Sequence, residues 1–135
     1  MDDDLARLRE RRMQEILAAK EAPPAPTAAV LTATGQNLEA LAKTYPSLVV
    51  DCWAPWCGPC RRVGPVVEAL AAEFAGRIAF AKLNTDEHPQ VARRYGISAI
   101  PTLLFFRSGA LAGQTTGAYP IDAMRAELLR VFRPG

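Results

Sequence analysis

Apolar residues recur along the chain in two different periods, and their alternation predicts the order of the secondary-structure elements. Short apolar runs typical of buried strands fall at residues 30–31, 48–53, 78–83, 102–106 and 111–116. Between them, helical spacing falls at residues 34–44, 60–74, 89–95 and 121–132. Helical connections indicate parallel strand pairs, whereas the short turn at Ser108-Gly109 indicates an antiparallel pair. We therefore expect an α/β fold whose central mixed β-sheet is flanked by helices on both faces.

The first 29 residues follow a different pattern from the rest of the chain. An amphipathic helix is predicted over residues 2–21, because one broad face carries Leu5, Leu8, Met13, Ile16 and Leu17. Pro23, Pro24 and Pro26 cannot continue a helix and predict an extended spacer. The predicted organisation is a helical extension at 1–21, a Pro/Ala-rich linker at 22–29 and a folded domain at 30–135.

Composition and charge exclude several classes of protein. With 135 residues, of which 50% are hydrophobic and 22% charged, the chain is typical of a globular domain with a full core. The net charge of +2 argues against a nucleic-acid partner, and no apolar run approaches the ~20 residues that cross a membrane. The acidic start Met1-Asp2-Asp3-Asp4 has no hydrophobic stretch after it, so no secretory signal is expected.

The three cysteines are too few and too clustered for the disulfide framework of a secreted protein, which favours a reducing compartment, the cytoplasm. Cys57 and Cys60 are separated by two residues where a strand hands over to a helix, so they can close a small disulfide. The positive end of that helix lowers the pKa of a cysteine in its first turn. The alternative is half of a zinc site, but only Cys52 and His88 could complete it, and no metal is predicted.

Asp51 lies inside an apolar strand, where a carboxylate is costly unless it has a partner or a function. Strand alternation places Asp51 and Trp53 on one face of the sheet and Cys52 on the other. Burial should raise the pKa of Asp51 and suit it to exchange a proton with Cys60. The alternative is a solvated carboxylate at a strand end, and Cys52 is expected to be an inert core thiol.

Several segments together resemble the thioredoxin family. They are residues 49–60, which contain Trp56-Cys57-Gly58-Pro59-Cys60, and residues 81–84, 95–97, 100–102 and 117–118. Their order and spacing match the family over residues 30–135, and the N-terminal helix is the main departure. The resemblance implies the thioredoxin fold and a protein-disulfide reductase that carries electrons by dithiol–disulfide exchange.

The resemblance also implies roles for individual residues. Cys57 is expected to be the exposed attacking thiolate, and Cys60 the shielded thiol that resolves the mixed disulfide. Gly58 and Pro59 set the redox poise in this family. Lys82 is similar to the lysine that approaches the buried aspartate and tunes it, with a plain surface lysine as the alternative.

A substrate-binding surface is implied beside the two cysteines, with a cis peptide bond between Ile100 and Pro101. Its expected residues are Trp53, Trp56, Gly96, Ile100, Pro101 and Gly117. For Trp53, packing in the core is the alternative to substrate contact. Arg61 and Arg62, which follow Cys60, are expected on a solvated helix face.

The expected partners are disulfide-containing proteins and a thioredoxin reductase as electron donor, with no bound cofactor, because the two sulfurs store the electrons. A monomer is expected, and a weak dimer through the N-terminal helix is the alternative. The competing function is a binding module whose N-terminal helix docks a partner. An oxidant or isomerase is disfavoured by the Gly58-Pro59 pair and by the missing export signal.

Overall fold

The computed structural model describes residues 2–21 and 25–133, and the side chains of residues 4–13 and 25–133. Its apolar runs form one five-stranded sheet, built from β1 (Leu31–Thr32), β2 (Ser47–Trp53), β3 (Ala79–Asn84), β4 (Thr102–Arg107) and β5 (Ala110–Thr116). The strands lie in the order β1-β3-β2-β4-β5. The β1–β3 and β2–β3 pairs are parallel, and the β2–β4 and β4–β5 pairs are antiparallel. The predicted mixed sheet is confirmed.

Helices cover both faces of this sheet, as the sequence predicts. The structure has α1 (Asp2–Glu21), α2 (Leu38–Thr44), α3 (Gly58–Glu73), α4 (Pro89–Arg94) and α5 (Ile121–Val131). One core cluster joins side chains of α3 and α5 to the sheet, and a second cluster joins α2 and α4 to the opposite face. Each fully buried leucine, valine or phenylalanine in these clusters contributes roughly 1.5–3 kcal/mol to folding.

Asp51 and Cys52 lie on opposite faces of β2. Val49 belongs to the core on the α3/α5 side, whereas Val50 and Cys52 belong to the core on the α2/α4 side. Since side chains alternate along a strand, Asp51 lies on the same side as Val49 and α3. The sheet thereby brings Asp51 to the face that also carries the cysteine helix.

Two helices begin elsewhere than predicted. Helix α2 begins at Leu38 and not at residue 34, because Thr34 and Asn37 close a local turn. The Thr34 N–H donates to Asn37 Oδ1 at 2.6 Å, and the Asn37 N–H donates to Thr34 Oγ1 at 3.0 Å. Helix α3 begins at Gly58, two residues before the prediction, and continues through Pro65.

The N-terminal segment forms the predicted helix α1, on which Leu5, Leu8 and Met13 are exposed. The side chains of Ile16 and Leu17 and the spacer residues 22–24 lie outside the described residues. Within the spacer, the Pro26 carbonyl accepts a hydrogen bond from the Gly76 N–H at 2.8 Å. The chain therefore already contacts the sheet domain before β1. In the described residues, no helix is long and apolar enough to cross a membrane.

Candidate functional site

The two cysteines lie where β2 passes into α3. Cys57 is the N-cap of α3 and Cys60 lies in its first turn, with their Cα atoms 5.3 Å apart and their sulfurs bonded to each other. The Cys60 N–H donates to Cys57 Sγ at 3.2 Å. Pro59 occupies a first-turn position, where the helix needs no N–H donor. The N-terminal end of α3, with its positive dipole, therefore points at the Cys57 sulfur.

Cys57 is much less exposed than the sequence predicts. It is 3% exposed and Cys60 is 6% exposed, and both pack with Ala54 against Trp53 and Ile100. The prediction of an exposed Cys57 is therefore wrong for the disulfide form. The reason is that Ala54, Trp53 and Ile100 pack around the pair and cover it.

Asp51 is buried behind the cysteine pair and lacks a partner for one oxygen. It is 1% exposed, and its Oδ1 has no hydrogen-bond partner within the described part of the chain. A cavity of about 280 Å³ joins it to Cys60, Trp53 and Lys82. Burial raises the pKa of Asp51 to about 6, and the nearby positive charge of Lys82 partly offsets this rise. The alternative of a solvated Asp51 is thus contrary to its position in the core.

Lys82 lies directly across from Asp51 on the neighbouring strand. The two residues are register partners in the parallel β2–β3 pair, and both line the cavity. Lys82 Nζ lies 5.1 Å from the centroid of the Trp53 ring, within the range of a cation–π contact. In the described residues it forms no ion pair shorter than 4.0 Å with Asp51, so it acts on the carboxylate through space.

The loop before β4 faces the cysteine pair. The Ile100–Pro101 peptide bond is cis, as the resemblance implies. The Pro101 carbonyl accepts a hydrogen bond from the Gly117 N–H at 2.9 Å, which ties this loop to the end of β5. Gly117 has φ of 116°, a conformation that a side chain would strain, and a Cβ there would lie 3.4 Å from the Tyr119 ring.

The predicted substrate residues come from several loops around the cysteine pair. Ile100 and Trp53 pack against the cysteine pair, and Trp56 beside them is 71% exposed. Gly96 follows α4 with φ of 66° and precedes Ile97, which lines a groove together with Trp56 and Ile100. Trp53 contacts both the cysteines and Lys82, so it has a place in the site as well as in packing.

Asp86, which no sequence motif indicates, contacts Trp56 at the edge of the site. The Trp56 indole N–H lies 3.2 Å from Oδ1 and 3.1 Å from Oδ2 of Asp86. Trp56 follows β2 and Asp86 follows β3, and parallel neighbouring strands end at the same edge of a sheet. The predicted parallel pairing of β2 and β3 is the signal from which this contact could be predicted.

The residues that a zinc site would need lie apart. Cys52 is buried in the core on the α2/α4 side, where desolvation and the negative charge of Asp51 raise its pKa to about 12. His88 Nδ1 accepts a hydrogen bond from the Gly35 N–H at 3.2 Å. Among the described residues, no group of three or more His, Cys, Asp or Glu side chains is placed to hold a metal ion.

A cysteine pair that alternates between an internal disulfide and two thiols stores two electrons without any other group. This chemistry, on the described fold, defines a thiol–disulfide oxidoreductase. A family model described as Thioredoxin matches residues 29–130. The chain belongs to the thioredoxin family, and it is a protein-disulfide oxidoreductase that works by dithiol–disulfide exchange through Cys57 and Cys60.

Named relatives agree with the family model. The chain is 50% identical to "Thioredoxin 1" of Nostoc over 69% of its own length and 86% of that protein. It is 53% identical to "Thioredoxin M-type, chloroplastic" of Pisum sativum over 54% of its own length. That match spans only 42% of the pea protein.

A solved structure has the same fold. It is a mutant thioredoxin from Halobacterium salinarum NRC-1, with a TM-score of 0.76 and 29% identity. The similarity covers 83% of this chain and 98% of the halobacterial chain. The thioredoxin fold predicted from the sequence is therefore confirmed.

Proposed function

We propose that this chain reduces disulfides of other proteins in the cytoplasm and is re-reduced by a thioredoxin reductase. The observation that carries the proposal is the hydrogen bond from the Cys60 N–H to Cys57 Sγ at the N-terminus of α3. In the reduced protein the same N–H and the helix dipole favour a thiolate at Cys57, because both stabilise negative charge there. The cytoplasmic assignment rests on the small number and the clustering of the cysteines.

The proposed reaction has two exchange steps. The Cys57 thiolate attacks one sulfur of a substrate disulfide, so that a Cys57–substrate bond forms and the first substrate thiolate leaves. Cys60 then loses its proton and attacks Cys57 Sγ, which closes the internal disulfide and releases the second substrate thiolate. The substrate gains two electrons and two protons, and the reductase later returns two electrons to Cys57 and Cys60. No bound cofactor is needed in this cycle.

Asp51 is proposed to accept the proton that Cys60 loses. The shared cavity and the pKa of about 6 support this role, because the carboxylate is mostly ionised at pH 7 yet close to its titration range. Lys82 is proposed as a tuning residue, since its charge holds that pKa below the value that burial alone would give. Gly58 and Pro59 are proposed to set the redox poise.

The substrate is proposed to lie across the cysteines between Trp56 and Gly117. Trp56 offers a large exposed apolar surface beside Cys57, and a shallow groove of about 180 Å³ joins it to Ile100. Pro101 and Trp53 are proposed to shape the same surface. Gly117 lets an extended peptide approach closely, because it has no side chain above the loop. Gly96, which precedes Ile97 of that groove, is proposed to belong to the same surface.

The reduction potential of the Cys57–Cys60 pair tests the proposed direction of electron flow. We expect a value of about −270 mV, the potential known for thioredoxin itself. The measurement follows tryptophan fluorescence of Trp53 and Trp56 in dithiol/disulfide buffers of known potential. A value above about −200 mV would instead assign the chain to the oxidants or isomerases.

A second function, partner docking through α1, is favoured by one observation. Leu5, Leu8 and Met13 are 54%, 56% and 64% exposed, so this helix presents apolar side chains to its surroundings. We propose that α1 is a separate element from the reductase domain at 30–135, joined to it by the linker at 22–29. A monomer is proposed, with weak dimerisation through α1 as the alternative.

Deleting residues 1–29 tests whether α1 belongs to the site. We expect the shortened chain to keep most of its disulfide-reductase activity, since the described side chains of α1 take no part in the cysteine cluster. The insulin-reduction rate of the deleted and full chains is compared at equal folded concentration. A large loss of activity in a still-folded protein would make α1 part of the site.

A further inference from the structure

A groove beside the proposed substrate surface has no part in the two exchange steps. It separates the start of α3 from the loop that precedes α5, and its volume is about 360 Å³. It is lined by Arg62, Val63, Val66, Ala118, Tyr119 and Pro120. We call it the Arg62–Tyr119 groove. One of its lining residues, Ala118, directly follows Gly117, whose N–H binds the Pro101 carbonyl.

The polar groups of this groove are free to bind a ligand. Arg62 is exposed and forms no ion pair with any described residue, and the hydroxyl of Tyr119 has no hydrogen-bond partner among them. The acids of the adjacent α5 are already engaged. Asp122 binds Arg125 at 2.7 Å, and Glu127 binds Arg130. Glu68, on the same helix as Arg62, lines the cavity behind Cys60 instead.

Charge differs between the two sides of the cysteine pair. On the Trp56 side lie Asp86, bound to the indole N–H, and Glu87, both exposed. On the other side, Arg62 is the charged group of the groove. An asymmetric charge distribution selects the orientation of a bound peptide, because the reversed peptide would bring like charges together.

We propose that the Arg62–Tyr119 groove binds a carboxylate side chain that the substrate protein carries beside its disulfide. This inference rests on the proposed function and names a feature of the substrate. The Arg62 guanidinium and the Tyr119 hydroxyl are the donors for the carboxylate. The half-buried Val66 and the exposed Pro120 contact the methylene groups of the same side chain. Glutamate therefore fits the groove better than a small acidic ion does.

The test compares matched disulfide peptides that carry Glu, Gln or Lys beside the disulfide, on either side of it. We expect the full chain to reduce the Glu peptide with a kcat/KM about threefold to fivefold above that of the Gln peptide at low salt, the size of one exposed ion pair. The Lys peptide should be the poorest substrate. High salt should reduce the difference, because the groove is open to solvent.

Three variants locate the effect. Arg62→Gln should abolish the preference for Glu while leaving reduction of the Gln peptide unchanged, and Tyr119→Phe should weaken the preference. Arg61→Gln makes the same charge change one residue away, and this variant should keep the preference for the Glu peptide.

Equal kcat/KM for the Glu and Gln peptides, or an equal loss in Arg61→Gln and Arg62→Gln, would overturn the inference. Failure of the wild-type chain to reduce any of the peptides would overturn the proposed function as well.

Discussion

Replacing Cys57 or Cys60 by serine should abolish catalytic turnover, but the two variants should fail at different steps. Cys57→Ser removes the attacking thiolate, so we expect no adduct with a disulfide substrate. Cys60→Ser keeps the attacking thiolate of Cys57 but lacks the thiol that resolves the mixed disulfide, so this covalent adduct should accumulate. In both variants insulin reduction should fall by at least about a thousandfold, as expected when a nucleophile is removed. Non-reducing gels and mass spectrometry detect the adduct.

Cys52→Ala is the matched control for these variants. Cys52 is a buried thiol on the α2/α4 side of the sheet, and burial and Asp51 hold its pKa at about 12. We expect this variant to keep the wild-type activity, because a protonated core thiol cannot take part in exchange. An adduct on Cys57→Ser together with none on Cys60→Ser would reverse the roles proposed for the two cysteines.

The order of the elements was predictable because it depends on local periodicity. Strand runs and helical spacing lie in the sequence itself, and they gave all five strands and both helical layers. The start of α2 was wrong because the side chains of Thr34 and Asn37 form a turn that competes with the helix. Helix periodicity alone contains no information about such side-chain bonds.

The site was predictable only where its residues are close together in sequence. The cysteine pair and Asp51 lie within ten residues of one another, so the motif and strand alternation were enough to identify them. The contact of Trp56 with Asp86 joins residues 30 apart in the chain and appears only when β2 and β3 are paired. The burial of Cys57 also depends on three-dimensional packing, since Ile100 comes from another loop.

Asp51→Asn should make the protein more stable at pH 8 and leave its stability at pH 4 nearly unchanged. Folding raises the pKa of Asp51 from 3.8 to about 6, so the folded state binds the proton more tightly than the unfolded chain does. The stability that this group contributes is present below pH ~4 and is lost as the pH rises through about 6. The shift corresponds to roughly 3 kcal/mol, an upper limit for the gain in the variant at pH 8.

Urea unfolding at both pH values measures this gain. The physical reason for it is the desolvation of a carboxylate whose Oδ1 has no described partner. Lys82→Met provides a second test, because it removes the charge that lowers the pKa of Asp51. We expect the fall in its stability to start at the same pH but to continue to a higher pH, because the folded pKa of Asp51 is higher without Lys82. An unchanged pH profile in Lys82→Met would make Lys82 a plain surface lysine.

The same Asp51→Asn variant should lose activity while it gains stability. The amide cannot accept the proton that Cys60 loses, and general bases contribute about a hundredfold or more to such steps. We expect a loss of about tenfold to a hundredfold in the resolving step at pH 7, at the lower end because the adjacent cavity of about 280 Å³ has room for a water molecule as an alternative acceptor.

Stopped-flow fluorescence of the resolving step across pH separates this role from a structural one. In the wild type the rate should rise as Asp51 loses its proton near pH 6, and in Asp51→Asn this rise should disappear. A variant that is more stable but resolves the mixed disulfide at the wild-type rate would leave the buried carboxylate without a catalytic purpose. The expected opposite effects on stability and rate would instead explain why an unfavourable charge is retained in the core, since its cost to folding is the source of its proton-accepting power.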